Sequence, residues 1–171
     1  MIIYILKIIW IFLPGAFANM APLFFLRINF LNSPINKKLF GENKTWRGLF
    51  FGIIFGILVA FSQKILSALF HKIEIINYNE INIIVFGFLM GFGALIGDLL
   101  KSFIKRKFKI SPGKSLPIFD QIDWIIGSFI ILSLYIKIKI EFFIYSILIL
   151  GILHFLINIF SYKIKIRKTI L

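Results

Sequence analysis

The three aspartates of this chain, Asp98, Asp120 and Asp123, all lie in one basic stretch, GDLLKSFIKRKFKISPGKSLPIFDQID, running from Gly97 to Asp123. The same stretch carries Lys101, Lys105, Arg106, Lys107, Lys109 and Lys114. Acids set among cations suggest metal–polyphosphate chemistry: carboxylates to hold a hard divalent ion such as Mg²⁺, and lysines and arginines to neutralise phosphate oxygens. Asp98, Ser102, Lys105 and Arg106 fall at i, i+4, i+7 and i+8, so an acid, a hydroxyl and two cations share one helical face. Plainer readings stand beside this one. Asp98 can form an interfacial salt bridge to Lys101 or Lys105, while Asp120 and Asp123 can serve as the N-cap and third residue of a helix. What favours a site is the concentration of every aspartate in one place. A carboxylate at mid-bilayer costs roughly 2.5–3.5 kcal/mol, so acids near a membrane need partners.

A second polar cluster is GENKTWRG, Gly41 to Gly48. Lys44 and Arg47 add cations that could form another wall of a phosphate site, Trp46 suits a membrane interface, and Thr45 or Asn43 can cap the helix that follows. Gln121 and Lys114 supply further polar groups beside the aspartates. Asn19, with Pro14 and Pro22 nearby, puts a polar side chain inside an apolar segment that can line a cavity. His71 and His154 lie far apart and form neither a metal nor a triad pattern; both read as structural, and Glu74 and Glu80 as solvated loop residues. No Walker A, GxSxG or HExxH motif is present. With no cysteine, disulfides and thiolate metal sites are excluded.

The elements that must position these residues are membrane helices. The chain of 171 residues is 60% hydrophobic, with a mean hydropathy of +0.96, far too apolar for a soluble domain. Length, rather than periodicity, defines the spans, expected at 2–26, 49–70, 82–100, 124–140 and 142–160, each near the length that crosses a ~30 Å hydrocarbon core. The fourth is the weakest, because Lys137 and Lys139 interrupt it and must snorkel. The first is too long for the apolar core of a signal peptide and reads as a retained helix. Connections 27–48 and 101–123 and the C-terminal tail hold most of the basic residues, leaving Lys7, Lys64, Lys72, Lys137 and Lys139 for the opposite side. The positive-inside rule then sets the N-terminus outside, the C-terminus inside and both polar connections in the cytoplasm. Gly48, Gly52 and Gly56, and Gly87, Gly91 and Gly93, mark close helix packing. The expected fold is therefore all-α, a single membrane domain over 1–171 with about five transmembrane helices. The net charge of +13 fits this topology, anionic head groups and phosphate substrates better than nucleic acid.

FGENKTWRG at 40–48, GDLLKSFIKRKF at 97–108 and PGKSLPIFDQIDWIIG at 112–127, with ANMAP at 18–22, resemble the CDP-archaeol synthase family. That family is similar to phosphatidate cytidylyltransferases, whose signature also carries a GD, an S-x-x-KR run and a later D-x-x-D pair. The likeness covers nearly the whole chain. It implies a cell-membrane enzyme that joins CTP to 2,3-di-O-geranylgeranylglycerol phosphate with Mg²⁺, giving CDP-archaeol and diphosphate. Carried over, Asp98, Asp120 and Asp123 would bind metal and nucleotide. Lys105 and Arg106 would act on the phosphates in catalysis, and Lys44, Trp46, Arg47, Lys101, Ser102, Lys114, Gln121 and Asn19 would bind substrate. A small membrane enzyme of this kind can also pair as a homodimer. PGKSLPIF replaces the HGG-type glycine run of the broader phosphatidate family, which favours the archaeal branch.

The attacking lipid phosphate is already anionic at neutral pH, so no general base is required. The rival enzymes are a phosphatidate cytidylyltransferase, with another acceptor, and a CTP-dependent prenol kinase, with another transferred group. A transporter or assembly factor would need acids deep within several spans and, ideally, an internal repeat; here the acids gather at one membrane edge.

Overall fold

The structure, a computed structural model, describes residues 2–110, 116 and 118–164, the side chains of residues 68, 70 and 71 excepted. Lys114 of the expected site and Lys165, Arg167 and Lys168 of the basic tail lie outside the described residues.

Among the described residues the fold has six helices, α1 (Ile2–Phe24), α2 (Lys37–Phe40), α3 (Trp46–Phe70), α4 (Ile83–Lys107), α5 (Phe119–Ser133) and α6 (Ile140–Lys163), with a 3-10 turn at His71–Ile73. No strand occurs among the described residues; an isolated bridge joins Pro34 and Thr45. Among the described residues, four helices, α1, α3 through Ser67, α4 and α6, are long and apolar enough to cross a membrane. At 1.5 Å per residue, helices of this length reach about 33–38 Å. The protein is a multi-pass, all-helical membrane bundle, as its composition demands.

The fourth expected span differs in place and length. Instead of 124–140, the helix α5 starts at Phe119 and stops at Ser133, 15 residues in all. Lys137 and Lys139 therefore lie beyond its end rather than inside it, in the connection to α6. Its early start takes Asp120 and Asp123 into the helix, while α4 continues through Lys107, so the expected loop 101–123 shrinks from both ends. Nearby cations permit this, because they supply the acids with partners that lipid could not.

In a bilayer, apolar surface does not drive helices together, so close contact must come from small residues. α4 is the central element and packs against α1, α3 and α5. On the α3 side, a β-carbon added at Gly56 would come within 2.7 Å of the Gly87 carbonyl oxygen, and one at Gly87 within 2.7 Å of Ile57 Cα. On the α5 side, a β-carbon at Gly93 would lie 2.6 Å from the Gly127 carbonyl oxygen, and one at Gly97 would overlap the Asp123 carbonyl oxygen. These seams surround a core of Ile8, Ile11, Phe86, Met90, Ile125 and Leu132. Ser128 Oγ donates to the Met90 carbonyl at 3.1 Å, satisfying a buried hydroxyl within the α4–α5 contact. The exposed apolar side chains of α1, α3 and α6, such as Leu58, Ile65, Ile152 and Phe160, face outward where lipid would lie.

Candidate active site between α4 and α5

The α4–α5 glycine seam determines where the acids meet. Gly97 abuts the backbone of Asp123, so Asp98 and Lys101, one turn further along α4, stand beside the first turns of α5. Lys101 lies at the hub. Its Nζ is 3.0 Å from Asp98 Oδ1, 3.3 Å from Asp120 Oδ1 and 2.8 Å from Asp123 Oδ2. Lys105 Nζ contacts both oxygens of Asp120, at 2.7 and 3.0 Å. Asp120 Oδ2 also accepts the Leu116 backbone N–H at 2.7 Å. Asp120 is thus inside the first turn of α5 rather than its N-cap. Ile118 holds the cap position and makes no side-chain cap bond.

Lys44 arrives from far away in sequence and pairs with Asp98 Oδ2. The loop that carries it folds back on itself: Ile35 N–H donates to the Lys44 carbonyl at 2.8 Å, Trp46 N–H to Ser33 and Arg47 N–H to Leu31. Asn36 caps α2 by accepting the Leu39 N–H at 3.0 Å, and α2 packs against α4. Gly41, at φ 90°, turns the chain out of α2, a left-handed conformation that favours glycine. Thr45 Oγ1 then accepts the Gly48 N–H at 3.2 Å, providing the expected cap for α3.

Among the described residues, three lysines and three aspartates therefore form one network of equal and opposite charges, largely shielded from water. Coulomb attraction between unit charges about 3 Å apart is roughly 5 kcal/mol at an effective dielectric of 20, offset by the cost of removing each ion from water. Among the described residues, no three acidic or histidine side chains form a ready-made metal shell, because Lys101 stands between the carboxylates. The donor chemistry nevertheless fits a hard divalent ion. All three acids offer oxygen, and Oδ1 of the buried Asp123 has no hydrogen-bond partner among the described residues.

Other expected site residues occupy different settings. Arg47 makes no ion pair with the cluster among the described residues. Its Nη1 donates to the carbonyls of Leu26, at 3.0 Å, and Ile28, at 2.6 Å, just past the end of α1. Those carbonyls lack helical partners, and a buried guanidinium satisfies them. Ser102 Oγ donates back to the Asp98 carbonyl at 2.9 Å. Arg106 follows on the same face of α4, with a buried Nε that has no hydrogen-bond partner among the described residues. The side chain of Asn19, half-buried on α1, makes no hydrogen bond among the described residues. Trp46 opens α3 and is exposed. Gln121 is buried on α5 with its Oε1 likewise unpartnered among the described residues.

Two roles leave no full mark in local sequence. Lys101 was expected to contact substrate, yet it joins all three acids; its i, i+3 spacing from Asp98 signals only the first contact. His154 sits on α6 with Nδ1 3.2 Å from Trp124 Nε1 and 3.3 Å from the Gln121 carbonyl oxygen, so it braces the first turns of α5. Nothing in its spacing marks that role.

The site is thus a buried acid–lysine network at one end of the central helix of a multi-pass membrane bundle. A solved structure described as an intramembrane enzyme for archaeal membrane lipids biosynthesis shares the fold, with a TM-score of 0.70 and 24% identity over 88% of this chain and 92% of that one. Residues 1–170 match the CarS-like family, described as CDP-archaeol synthase, and the chain belongs to that family. It is similar to the CDP-archaeol synthases of Methanococcus maripaludis strain C7 (33% identical, 99% of this chain and 98% of that protein) and Methanococcus vannielii (36% identical, 94% and 93%). A third relative, from Staphylothermus marinus, is 35% identical over 82% of this chain and 77% of its own length.

Proposed function

We propose that this chain transfers the cytidylyl group of CTP to an isoprenoid glycerol phosphate lipid, with release of diphosphate, using Asp98, Asp120 and Asp123 to hold Mg²⁺. An oxygen of the lipid phosphate attacks the α-phosphorus of CTP; a new P–O bond forms as the bond to the β-phosphate bridging oxygen breaks, and diphosphate leaves. The observation that carries the reading is the convergence of the three aspartates with Lys44, Lys101 and Lys105 in a chain of this family. Bound Mg²⁺ would supply Lewis-acid polarisation and charge neutralisation at the phosphates. Lys105, Lys44 and Arg106, whose Nε has no hydrogen-bond partner among the described residues, would neutralise and orient phosphate oxygens. An apolar groove of about 260 Å³ between α5 and α6, lined by Gln121, Ile122, Ile147, Leu148 and Ile152 among others, offers a course for a hydrocarbon chain.

The basic connections support a site on the cytoplasmic side, where CTP is available. The chain lacks cysteine, so single cysteines introduced at Asn43 and Lys137 report sidedness directly: an impermeant maleimide should reach the first only from the cytoplasmic side and the second only from outside. Pairing into a homodimer is a further part of the proposal, read by cross-linking in bilayers.

The deciding experiment incubates purified protein with labelled CTP, Mg²⁺ and either the isoprenoid ether lipid phosphate or an ester phosphatidate. CDP-lipid and diphosphate are expected, with the ether acceptor preferred. No CDP-lipid from either acceptor would overturn the activity, and preference for the ester would identify a phosphatidate cytidylyltransferase. Asp98→Asn and Asp120→Asn should each lose at least about 100-fold in rate; full rates in both would refute the site.

A further inference from the structure

Lys101 differs from the other two lysines of the network in its connectivity. Among the described residues, Lys44 pairs with Asp98, and Lys105 with Asp120, whereas Lys101 lies within 3.3 Å of a carboxylate oxygen on all three acids. It is also the ion-pair partner of Asp123, whose carboxylate is 5% exposed. The ammonium thus stands among the oxygens that a divalent ion would use, and among the described residues three lysines already balance three aspartates. Adding a dication alone would leave two positive charges without counter-charge in a mostly buried site, an arrangement whose desolvation cost is high. A triphosphate changes that balance, because it brings several negative charges and many acceptor oxygens. Lysine suits an exchange between the two: its charge is compact and its four-carbon stem flexible.

We propose that Lys101 is a resident counter-ion that withholds the three-aspartate site from divalent metal until a nucleoside triphosphate arrives, when its ammonium passes from the carboxylates to the phosphates. Metal binding is thereby conditional on nucleotide. The inference rests on the reading of this cluster as a metal–CTP site, and it assigns Lys101 a role distinct from simple substrate contact. By reciprocity, the same residue makes nucleotide binding depend on metal.

The test measures metal binding without turnover. Full-length protein in nanodiscs, with no acceptor lipid, is titrated with Mn²⁺, alone or with CTP, and protein-bound Mn²⁺ is read by retention on ultrafiltration against a protein-free blank. Thermal melting gives a parallel readout. In the wild type, CTP should tighten Mn²⁺ binding at least about tenfold, within the usual range of coupling between sites. In Lys101→Gln, Mn²⁺ alone should bind about tenfold more tightly than in the wild type and should raise the melting temperature, with CTP adding little. Lys44→Gln removes an equal charge but leaves Lys101 among the acids, so it should gain far less.

Equal gains in the two variants would reduce the effect to net charge and overturn the proposal. Wild-type protein that binds Mn²⁺ alone as tightly as Lys101→Gln would also overturn it. Should Lys101→Gln fail to fold, Lys101→Arg keeps the charge and all three acids; its rigid planar fork should stay on the carboxylates, so CTP should no longer tighten Mn²⁺ binding, and coupling as strong as in the wild type refutes the exchange. Absence of CDP-lipid from the wild type, with the Lys101 dependence intact, overturns the proposed reaction while leaving this inference standing.

Discussion

Gly97→Ala is a test of how the acids are brought together, because the added methyl touches no charged group. The space it would fill is occupied by the carbonyl oxygen of Asp123, and backbone cannot swing aside as a side chain can. Helices α4 and α5 would have to part by more than about 1 Å before that contact becomes ordinary, and a misplacement of this size can cost on the order of 100-fold in rate. Overpacking of a tight contact should also lower stability by about 1–3 kcal/mol. The separation would move Asp120 and Asp123 away from Asp98 and Lys101 together, so activity should fall more steeply than stability. The assay is the initial rate of CDP-lipid formation in detergent or nanodiscs, paired with a thermal melt followed by circular dichroism. Gly91→Ala is the matched control. It lies on the same helix, but its β-carbon would meet Ala18 Cβ at 3.3 Å on another face, and it should keep the rate within about threefold of wild type. A folded Gly97→Ala protein working at more than a third of the wild-type rate, or equal losses in the two variants, would refute the claim that this seam registers the site.

Arg47→Met should lower stability by about 3 kcal/mol through loss of the charged bonds to Leu26 and Ile28, with the KM for CTP little changed in the folded fraction; a tenfold rise in KM without loss of stability would return Arg47 to the substrate. Lys105→Met should raise the KM for CTP about tenfold or more, since it removes a charge-assisted contact and frees Asp120; an unchanged KM would limit Lys105 to a structural pair. Chelation of divalent ions should abolish CDP-lipid formation, and Mg²⁺ in excess of CTP should restore it; activity that persists in chelator would refute the metal assignment.

Much of this arrangement was legible in local sequence. The apolar runs set an all-helical membrane bundle, the Asp98–Lys101 pair follows from i, i+3 spacing, and Thr45 caps α3 as its position before the helix suggests. What local sequence could not show depends on contacts between distant segments. Lys44 reaches Asp98 only because the loop of residues 27–48 pairs back on itself through Leu31, Ser33 and Ile35. Arg47 reads as another cation for phosphate until the open carbonyls beyond α1 are seen beside it. The apolar run begins at Trp124, and an N-cap at Asp120 would start the helix at Gln121. Helix begins at Phe119 instead, since Lys101 and Lys105 make the acids of its first turns tolerable.

The 15 residues of α5 give a rod of about 22 Å, set among neighbours that reach across a hydrocarbon layer of ~30 Å. Lipid bordering that rod has less protein to cover and must dip to meet it, a local thinning that costs only a fraction of a kcal/mol per ångström. Such a dimple would let water and a soluble nucleotide descend toward the acids, while a lipid head group reaches the same depth without its tails leaving the oil.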